Sequence, residues 1–397
     1  MPIRSDRDLF ADLHIHIGRA GGRPVKITAA RSLTLRSIIF EDAPRKGLDI
    51  VGVVDAGSPL VTTEIEDMLQ VGDLRQLDRG GFLSRNGILL ITGSEVETRE
   101  GVHALAYLPD LESLYKWQRF LVPHIRNMSL STQKMDLPMA DIIGQCVSLE
   151  GIFCLAHAFT PHKGAYGAWT DRLFKELGPV TEDIKVIELG LSSDSCLADT
   201  LAETRRFQYL SNSDAHSAAN IAREYNRLAM AERNFTELRL ALWGIQGRRI
   251  TANYGLHPRM GKYHRSYCPS CGRIAVEPPP VTRCPACGNG RLVMGVYDRI
   301  VMIQDTPCHR HPPDRPPYHY RIPLKDLPGI GPVTYHRLLE AFANEIGIME
   351  MVPVEDIRRT AGERPAAAIQ AMRSGSLVIT DGGGGYYGRV SIPSDMI

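Results

Sequence analysis

The sequence predicts an α/β fold, a mainly parallel sheet or barrel followed by a small cysteine-rich unit and a small helical region. Three observations predict it. Short apolar runs alternate with helical periodicity up to about residue 250, two Cys-x-x-Cys pairs follow, and a Leu-Pro-Gly-Ile-Gly-Pro segment opens a late helix. With 397 residues, 43% hydrophobic and 23% charged, the chain can bury a core and form two or three domains.

The alternating part begins with β-rich apolar runs that are typical of buried strands. They lie at 11–17, 49–54, 88–93, 102–107, 152–156, 185–189 and 208–211. Helical periodicity follows several of them, at 64–79, 139–148, 170–177, 196–206 and 235–243, and Gly244 ends the last helix. In a (β/α) barrel the carboxyl ends of the strands form the active-site face, so polar residues at these ends are expected to meet.

Histidines and carboxylates mark most of these strand ends. In Asp12-Leu-His14-Ile-His16, alternate side chains share one face of a strand, so the two imidazoles converge. The other candidates follow later in the chain: Glu95, His103, His157, Asp214 and His216. Imidazole and carboxylate ligate Zn²⁺, Mn²⁺ or Fe, and seven such groups exceed the four that close one structural zinc site. The pattern predicts a centre with more than one metal ion.

These residues carry a resemblance to a known family. Ala11-Asp-Leu-His-Ile-His, Leu155-Ala-His and Ser213-Asp-Ala-His resemble signature segments of the PHP (polymerase and histidinol phosphatase) phosphoesterases, over residues 8–250. The resemblance implies a distorted (β/α)₇ barrel that hydrolyses phosphate esters with two or three divalent ions (Zn²⁺, Mn²⁺ or Mg²⁺). It implies as metal ligands His14, His16, Glu95, His103, His157, Asp214 and His216.

The chain departs from that family at its second motif, and the acidic residue that the family commonly has soon after His-x-His is not obvious in Gly18-Arg-Ala-Gly-Gly. Where the family reads Thr-Asp-His, this chain has Val54-Asp55-Ala56, so Asp55 either is a metal ligand or orients one. The number of ions therefore stays at two or three. We expect Asp214, His16 and Glu95 to be the catalytic residues.

The two Cys-x-x-Cys pairs predict a second, separate metal site. Cys268 and Cys271 precede Cys284 and Cys287 by twelve intervening residues, and two such knuckles complete a tetrahedral zinc site that stabilises a small segment. We expect a structural Zn²⁺ in a zinc ribbon. The remaining four cysteines are scattered along the chain. In a sequence that starts without a signal core, two matched pairs among eight cysteines indicate metal binding rather than disulfides.

Charge divides the chain into two unequal parts. Residues 1–237 hold 26 basic and 32 acidic residues, a net charge of −6, whereas residues 238–397 hold 20 and 13, a net charge of +7. Between positions 238 and 276 there is no carboxylate, and tyrosines alternate with basic residues that include Arg259, Lys262 and Arg265. This basic strip predicts a polyanionic partner, with a solvated basic linker as the alternative.

The segment Leu327-Pro-Gly329-Ile-Gly331-Pro opens a helix and resembles a helix-hairpin-helix motif. In that motif the glycines let the backbone approach a nucleic-acid phosphate, which amide groups at a helix N-terminus meet. A plain turn between helices is the alternative. We expect Gly329 and Gly331 to contact DNA, together with Arg259, Lys262 and Arg265.

The order of these units resembles the endonuclease Q family over nearly the whole chain. The expected division is a PHP barrel at 1–250, the basic strip and zinc ribbon at 251–305, a Pro-rich connection at 306–323 and a helix-hairpin-helix region at 324–397. That family implies a DNA repair endonuclease that cuts 5′ of deaminated bases (hypoxanthine, uracil, xanthine) or abasic sites.

Other functions stay open at this stage. A general PHP exonuclease or phosphoesterase is one alternative, and a catalytically inactive DNA-binding module is another. No stretch approaches the ~20 apolar residues of a membrane span, and the first residues lack a signal core. We therefore expect a cytoplasmic protein that makes no membrane contact. The family resemblance implies DNA containing deaminated bases as its partner.

Overall fold

The computed structural model describes residues 8–393, and most of its strands form one large curled sheet. In chain order the strands are β1 (Asp8–Ile15), β2 (Arg19–Ala20), β3 (Arg23–Pro24), β4 (Ile50–Val53), β5 (Leu74–Gln76), β6 (Phe82–Ser84), β7 (Leu89–Glu97), β8 (His103–Leu108), β9 (Ile152–Leu155), β10 (Val186–Glu188), β11 (Gln208–Leu210), β12 (Tyr225–Ala229), β13 (Arg249–Gly255), β14 (Tyr318–Tyr320), β15 (Val378–Thr380) and β16 (Arg389–Ser391).

Seven of these strands form a distorted barrel. Their order is β1-β4-β7-β8-β9-β10-β11, and β8 alone runs antiparallel to both of its neighbours. The ring closes beyond the ends of β1 and β11, where the His16 amide donates to the carbonyl of Ala215 (3.0 Å) and the Ala215 amide donates to that of His14 (3.2 Å). The predicted (β/α)₇ barrel is confirmed, and each predicted β-rich run overlaps one of its strands.

The barrel strands are apolar on both faces. Along β7, Leu89 and Ile91 belong to one buried cluster and Leu90 to the other. Strands that are covered on both sides read as continuous apolar runs, which is why the sequence shows runs rather than alternation here.

Helices cover the barrel and build the C-terminal region. They are α1 (Leu35–Ser37), α2 (Ala43–Lys46), α3 (Pro59–Gln70), α4 (Leu111–Leu121), α5 (Met139–Ser148), α6 (Leu173–Leu177), α7 (Ser195–Ala198), α8 (Phe235–Trp243), α9 (Val296–Ile303), α10 (Pro332–Phe342), α11 (Glu345–Glu350), α12 (Val354–Ala361) and α13 (Glu363–Ser374). No helix within residues 8–393 is both long and apolar enough to cross a membrane.

Two of the five helix predictions are confirmed over their full length. The predicted helices at 139–148 and 235–243 match α5 and α8, and α8 ends at Gly244 as expected. The prediction of a helix over 64–79 is wrong at both ends: α3 begins at Pro59 and stops at Gln70, and residues 74–76 form β5 instead. The helix predicted at 170–177 begins only at Leu173, and that at 196–206 is α7 followed by a separate 3₁₀ turn.

The Pro-rich segment 306–323 is more than a connection. Its residues Tyr318–Tyr320 form β14, which extends the large sheet by pairing in parallel with β13. The sheet therefore crosses the predicted boundary at 250 and reaches into the predicted connection. At the C-terminal end, β15 and β16 form an antiparallel hairpin.

Candidate functional site

The seven predicted ligands converge at one edge of the barrel. His14 and His16 lie at the end of β1, Glu95 in β7, His157 just after β9, and Asp214 and His216 after β11. His103 is the first residue of β8, and because β8 runs opposite to its neighbours, its beginning lies at the same edge as their ends.

These side chains form three overlapping groups. In each group the potential ligand atoms lie within 4.8 Å of one another. The first group is His14, His16 and Glu95, the second is His16, Asp214 and His216, and the third is Glu95, His103 and His157. The Nε2 atoms of His14 and His16 are 3.3 Å apart, which matches the ~3.3 Å between two imidazole nitrogens on one tetrahedral zinc. Since His16 and Glu95 each belong to two groups, the donor set fits adjacent divalent ions.

Two buried carboxylates orient the first two imidazoles. Glu188 lies 2.9 Å from Nδ1 of His14, and Asp55 lies 2.9 Å from Nδ1 of His16, which leaves both Nε2 atoms facing the centre. Such carboxylate–histidine pairs fix the ring orientation of metal ligands. Asp55 also accepts a hydrogen bond from the Ile17 amide and belongs to none of the three groups. Of its two predicted roles, the geometry favours orienting His16.

Without metal, the centre holds ionised carboxylates whose charge neighbouring cations offset. Burial alone would raise the pKa of Asp214, but the His14 and His16 imidazoles hold it well below its usual range. Burial would likewise raise the pKa of Glu95, yet Lys26 and His103 keep it well below normal. Burial and the nearby His16 lower the pKa of His216 to about 4. The carboxylates are thus ionised and His216 is neutral, which are the forms that bind metal. Burial would lower the pKa of His14, but Glu188 and Asp214 raise it to about 10, so metal binding there would release a proton.

Sequence reasoning missed two residues of the site, Glu188 and Lys26. Glu188 ends a predicted strand run, so the strand-end rule could have found it. Lys26 comes from an irregular loop and places its ammonium 2.9 Å from Glu95 and 2.6 Å from the Thr132 hydroxyl. No local pattern marks such a residue, because only the tertiary fold brings it to Glu95.

Backbone strain coincides with two of the predicted ligands. His157 has φ 30° and Asp214 has φ 45°, a region that residues other than glycine seldom adopt. Conformations of this kind persist where the surrounding structure holds them, and they concentrate at functional sites.

A cleft of about 220 Å³ opens beside the centre and carries cations and aromatic rings. Among its lining residues are His157, Asp214, Arg223, Lys262, Tyr263 and Tyr387. The Lys262 ammonium lies 5.0 Å from the Tyr263 ring centre and 6.0 Å from that of Tyr387, and Arg223 donates to the Tyr387 hydroxyl (2.9 Å). The cleft therefore brings residues of the basic strip and of the β15–β16 hairpin to the metal-ligand groups.

The three predicted DNA-binding cations lie in three different environments. Lys262 lines the cleft, and Arg259 is about half exposed while pairing with Asp381. Arg265 is only 10% exposed, lies 3.1 Å from the buried Asp298 of α9 and donates to the Glu277 carbonyl. Because its guanidinium is committed to this internal ion pair, the geometry argues against the predicted contact between Arg265 and DNA.

The four predicted zinc ligands come together as expected. Cys268, Cys271, Cys284 and Cys287 form one group, and the sulfur–sulfur distances are 3.6 Å for Cys268–Cys287 and for Cys271–Cys284. Four thiolates around zinc are ~3.8 Å apart, so the sulfurs already stand at the spacing that the ion requires.

The predicted helix-hairpin-helix begins with one short turn. A 3₁₀ turn at Leu324–Asp326 precedes the loop, and α10 begins at Pro332. Gly329 has φ 85° and a Cβ there would lie 2.9 Å from the Arg364 side chain, whereas a Cβ at Gly331 would meet nothing within 4 Å. The backbone at Gly331 is open to an approaching ligand.

Comparisons with known proteins agree with this geometry. No protein-family model matches the chain. It is 39% identical over 390 residues to YqxK, an uncharacterized protein of Bacillus subtilis (strain 168), which covers 97% of this chain and 99% of YqxK.

Two solved structures match over nearly the whole length. The crystal structure of the lesion-specific endonuclease PfuEndoQ from Pyrococcus furiosus shares 33% sequence identity at a TM-score of 0.84, covering 98% of this chain and 96% of that one. A structure of endonuclease Q in complex with a 27-mer duplex, with an abasic lesion at the active site, shares 32% identity at a TM-score of 0.84 and covers 98% of each chain. This chain therefore belongs to the endonuclease Q family.

Proposed function

We propose that the chain is a metal-dependent endonuclease of DNA repair that hydrolyses the phosphodiester on the 5′ side of a deaminated base or an abasic site. The observation that carries the proposal is the junction of the metal-ligand groups with a cleft lined by cations and aromatic rings. The family relationship supports the same function, since a related endonuclease Q holds duplex DNA with an abasic lesion at its active site. The proposed deaminated substrates contain hypoxanthine, uracil or xanthine.

The metal-ligand groups would hold two or three divalent ions, Zn²⁺, Mn²⁺ or Mg²⁺. Such ions lower the pKa of bound water and offset the negative charge that develops on a phosphate during hydrolysis. The protein's own part is orientation: Glu188 and Asp55 hold His14 and His16, and Lys26 holds Glu95. The Asp214 carboxylate, 31% exposed, faces both His14 and His16 and lines the cleft. We assign Asp214, His16 and Glu95 as its catalytic residues.

The cleft would hold the nucleotides next to the cut. Lys262 and Arg223 supply positive charge for the phosphates, and the rings of Tyr263 and Tyr387 offer faces on which a base can stack. A damaged or mispaired base leaves the double helix at a lower cost than a normal one, which favours its capture in such a cleft.

The remaining units would bind DNA without reading its sequence. Amide groups around Gly329 and Gly331, at the start of α10, suit a backbone phosphate. The four-cysteine group would hold a structural Zn²⁺ that stabilises the ribbon, and the ribbon adjoins the basic strip.

The test is a cleavage assay on end-labelled duplexes that contain one deoxyuridine, deoxyinosine, deoxyxanthosine or abasic site, beside an undamaged duplex. We expect one cut, 5′ of each lesion, and none in the undamaged control. Asp214→Asn should lower the cleavage rate by orders of magnitude, because it keeps the volume of the side chain but removes a negative ligand.

Recognition is tested with the same variant, since Asp214→Asn leaves the rest of the cleft in place. In gel-shift titrations at one fixed salt concentration it should bind damaged duplexes more tightly than undamaged ones. Equal cutting of damaged and undamaged DNA would favour a general PHP nuclease. DNA binding with no cutting under any divalent ion would favour the inactive DNA-binding module.

A further inference from the structure

Another group of potential metal ligands lies away from both the barrel edge and the ribbon. It consists of Cys196, in α7, with His309 and His311 of the Pro-rich segment, and their ligand atoms lie within 4.8 Å of one another. We propose that these three residues bind a Zn²⁺ ion that fastens the segment 306–323 to the barrel.

The distances agree with coordination by one ion. Cys196 Sγ and His311 Nε2 are 3.7 Å apart. A thiolate and an imidazole nitrogen bound to one tetrahedral zinc, at 2.3 Å and 2.0–2.1 Å, are ~3.6 Å apart. The rings of His309 and His311 are 4.3 Å apart and inclined by 32°, so the second imidazole lies beside the first.

The His311 ring is already oriented for this role. Its Nδ1 lies 2.6 Å from a carboxylate oxygen of Asp199, which turns Nε2 toward Cys196. Asp199 is itself fully buried and is fixed by the Arg315 guanidinium (2.8 and 2.9 Å) and the Tyr209 hydroxyl (2.7 Å). A carboxylate behind a ligating histidine is the arrangement that His14 and His16 also show, and it raises metal affinity.

The chemistry of the group favours Zn²⁺ over Mg²⁺ and Mn²⁺. One thiolate and two imidazoles suit Zn²⁺, whereas Mg²⁺ and Mn²⁺ prefer oxygen ligands. Three protein ligands leave a fourth position for water, and Cys308 lies in the same segment, next to His309. The site shares no residue with the barrel-edge groups, so its occupancy is independent of the ions there.

The ion would act on the region that joins the barrel to the C-terminal part. Asp194 caps the N-terminus of α7 and accepts a hydrogen bond from the Tyr320 hydroxyl of β14 (2.8 Å). The loop just before α7, at Gly190 and Ser192, lines the cleft beside the metal-ligand groups. An ion at Cys196 would therefore tie β14 and the segment before it to the wall of the cleft.

The test counts zinc in the full-length protein and locates it. We expect Cys196→Ser and His309→Ala each to lose one equivalent of zinc per chain relative to the wild type, measured by mass spectrometry after equilibration in the same zinc buffer. His336→Ala, an exposed histidine on α10, is the matched control and should lose none. Crystals of the zinc-loaded wild type should show an anomalous peak between Cys196, His309 and His311.

The variants also protect the test against simple unfolding. His309 is exposed and its ring lies beside that of His311, so His309→Ala should fold even if Cys196→Ser does not. Full zinc content in His309→Ala, or the absence of the anomalous peak in the wild type, would overturn the proposal. Loss of the equivalent in Cys308→Ser as well would support the proposal and add Cys308 as the fourth ligand.

Discussion

The substitution Asp55→Asn tests whether Asp55 orients His16 or is itself a metal ligand. Asp55 is fully buried and uses its two oxygens for two different donors, Nδ1 of His16 and the amide of Ile17. An asparagine has only one acceptor oxygen, so it can satisfy one of these donors but not both.

Either orientation of the new amide disturbs the site. If its oxygen faces Ile17, its NH₂ group meets Nδ1 of His16 and drives the proton to Nε2, the atom that should ligate metal. If its oxygen faces His16, two donors confront each other at Ile17, and an unsatisfied buried amide costs about 1–3 kcal/mol. Loss of a residue behind a metal-ligating histidine typically lowers metal affinity or activity 10–100-fold, which corresponds to about 1.4–2.8 kcal/mol.

The assay is the rate of cleavage of an abasic-site duplex as a function of divalent-ion concentration. Asp55→Asn should need about 10–100 times more metal for half-maximal activity and should approach the wild-type rate at saturation. Asp214→Asn should not be rescued by added metal, because a ligand itself is missing. Asp298→Asn, a buried carboxylate outside the site, is the control and should leave the metal requirement unchanged.

Two results would refute this reasoning. A wild-type metal requirement in Asp55→Asn would show that His16 does not depend on Asp55 for its orientation. A loss of activity that no metal concentration restores, in a variant with normal circular dichroism, would place Asp55 among the ligands.

Three further predictions concern the appendages and the metals. Mild chelation should abolish cutting while the four-cysteine zinc stays bound, as judged by metal analysis, and simultaneous loss of all metal would contradict two separate kinds of site. Replacing Arg259 and Lys262 by alanine should weaken binding to damaged and undamaged DNA alike and flatten the log–log salt dependence by up to about one unit per lost phosphate contact. Arg265→Ala should instead lower the melting temperature, because it leaves the buried Asp298 carboxylate without its ion-pair partner, at a cost of about 3–5 kcal/mol in the free energy of unfolding. Gly331→Ala should keep the melting temperature, since its Cβ meets nothing within 4 Å, but should weaken binding to every duplex if a phosphate approaches there; unchanged affinity would favour a plain turn.

The barrel and most of its edge could be predicted because their signals are local. A buried strand shows its apolar run within a few residues, and His14, Glu95, His157 and Asp214 stand within or beside such runs. The four cysteines carry their spacing with them, so a zinc-ribbon prediction needs no knowledge of the rest of the fold.

The features that the sequence does not reveal depend on partners far away in the chain. Arg265 looks like a free surface cation in the strip, but Asp298, thirty-three residues later, takes it into an ion pair. Prolines at 316, 317 and 323 hide the strand signal of the two tyrosines, yet Tyr318–Tyr320 form β14 along the edge of β13, which offers unpaired backbone groups. Lys26 reaches Glu95 across 69 positions, and no periodicity marks that contact.

The division of charge along the chain has a physical reason in this site. The barrel part, with a net charge of −6, contributes the ionised Glu95 and Asp214, which attract metal cations but would repel a phosphate. The later part, with a net charge of +7, contributes Lys262 to the same cleft, and Arg223 from the barrel joins it there. A polyanion can then approach the carboxylates because cations flank them and metal ions would neutralise them. Hydrolysis would therefore depend on the barrel and general affinity for DNA on the appendages, so that each property can be lost by substitution without the other.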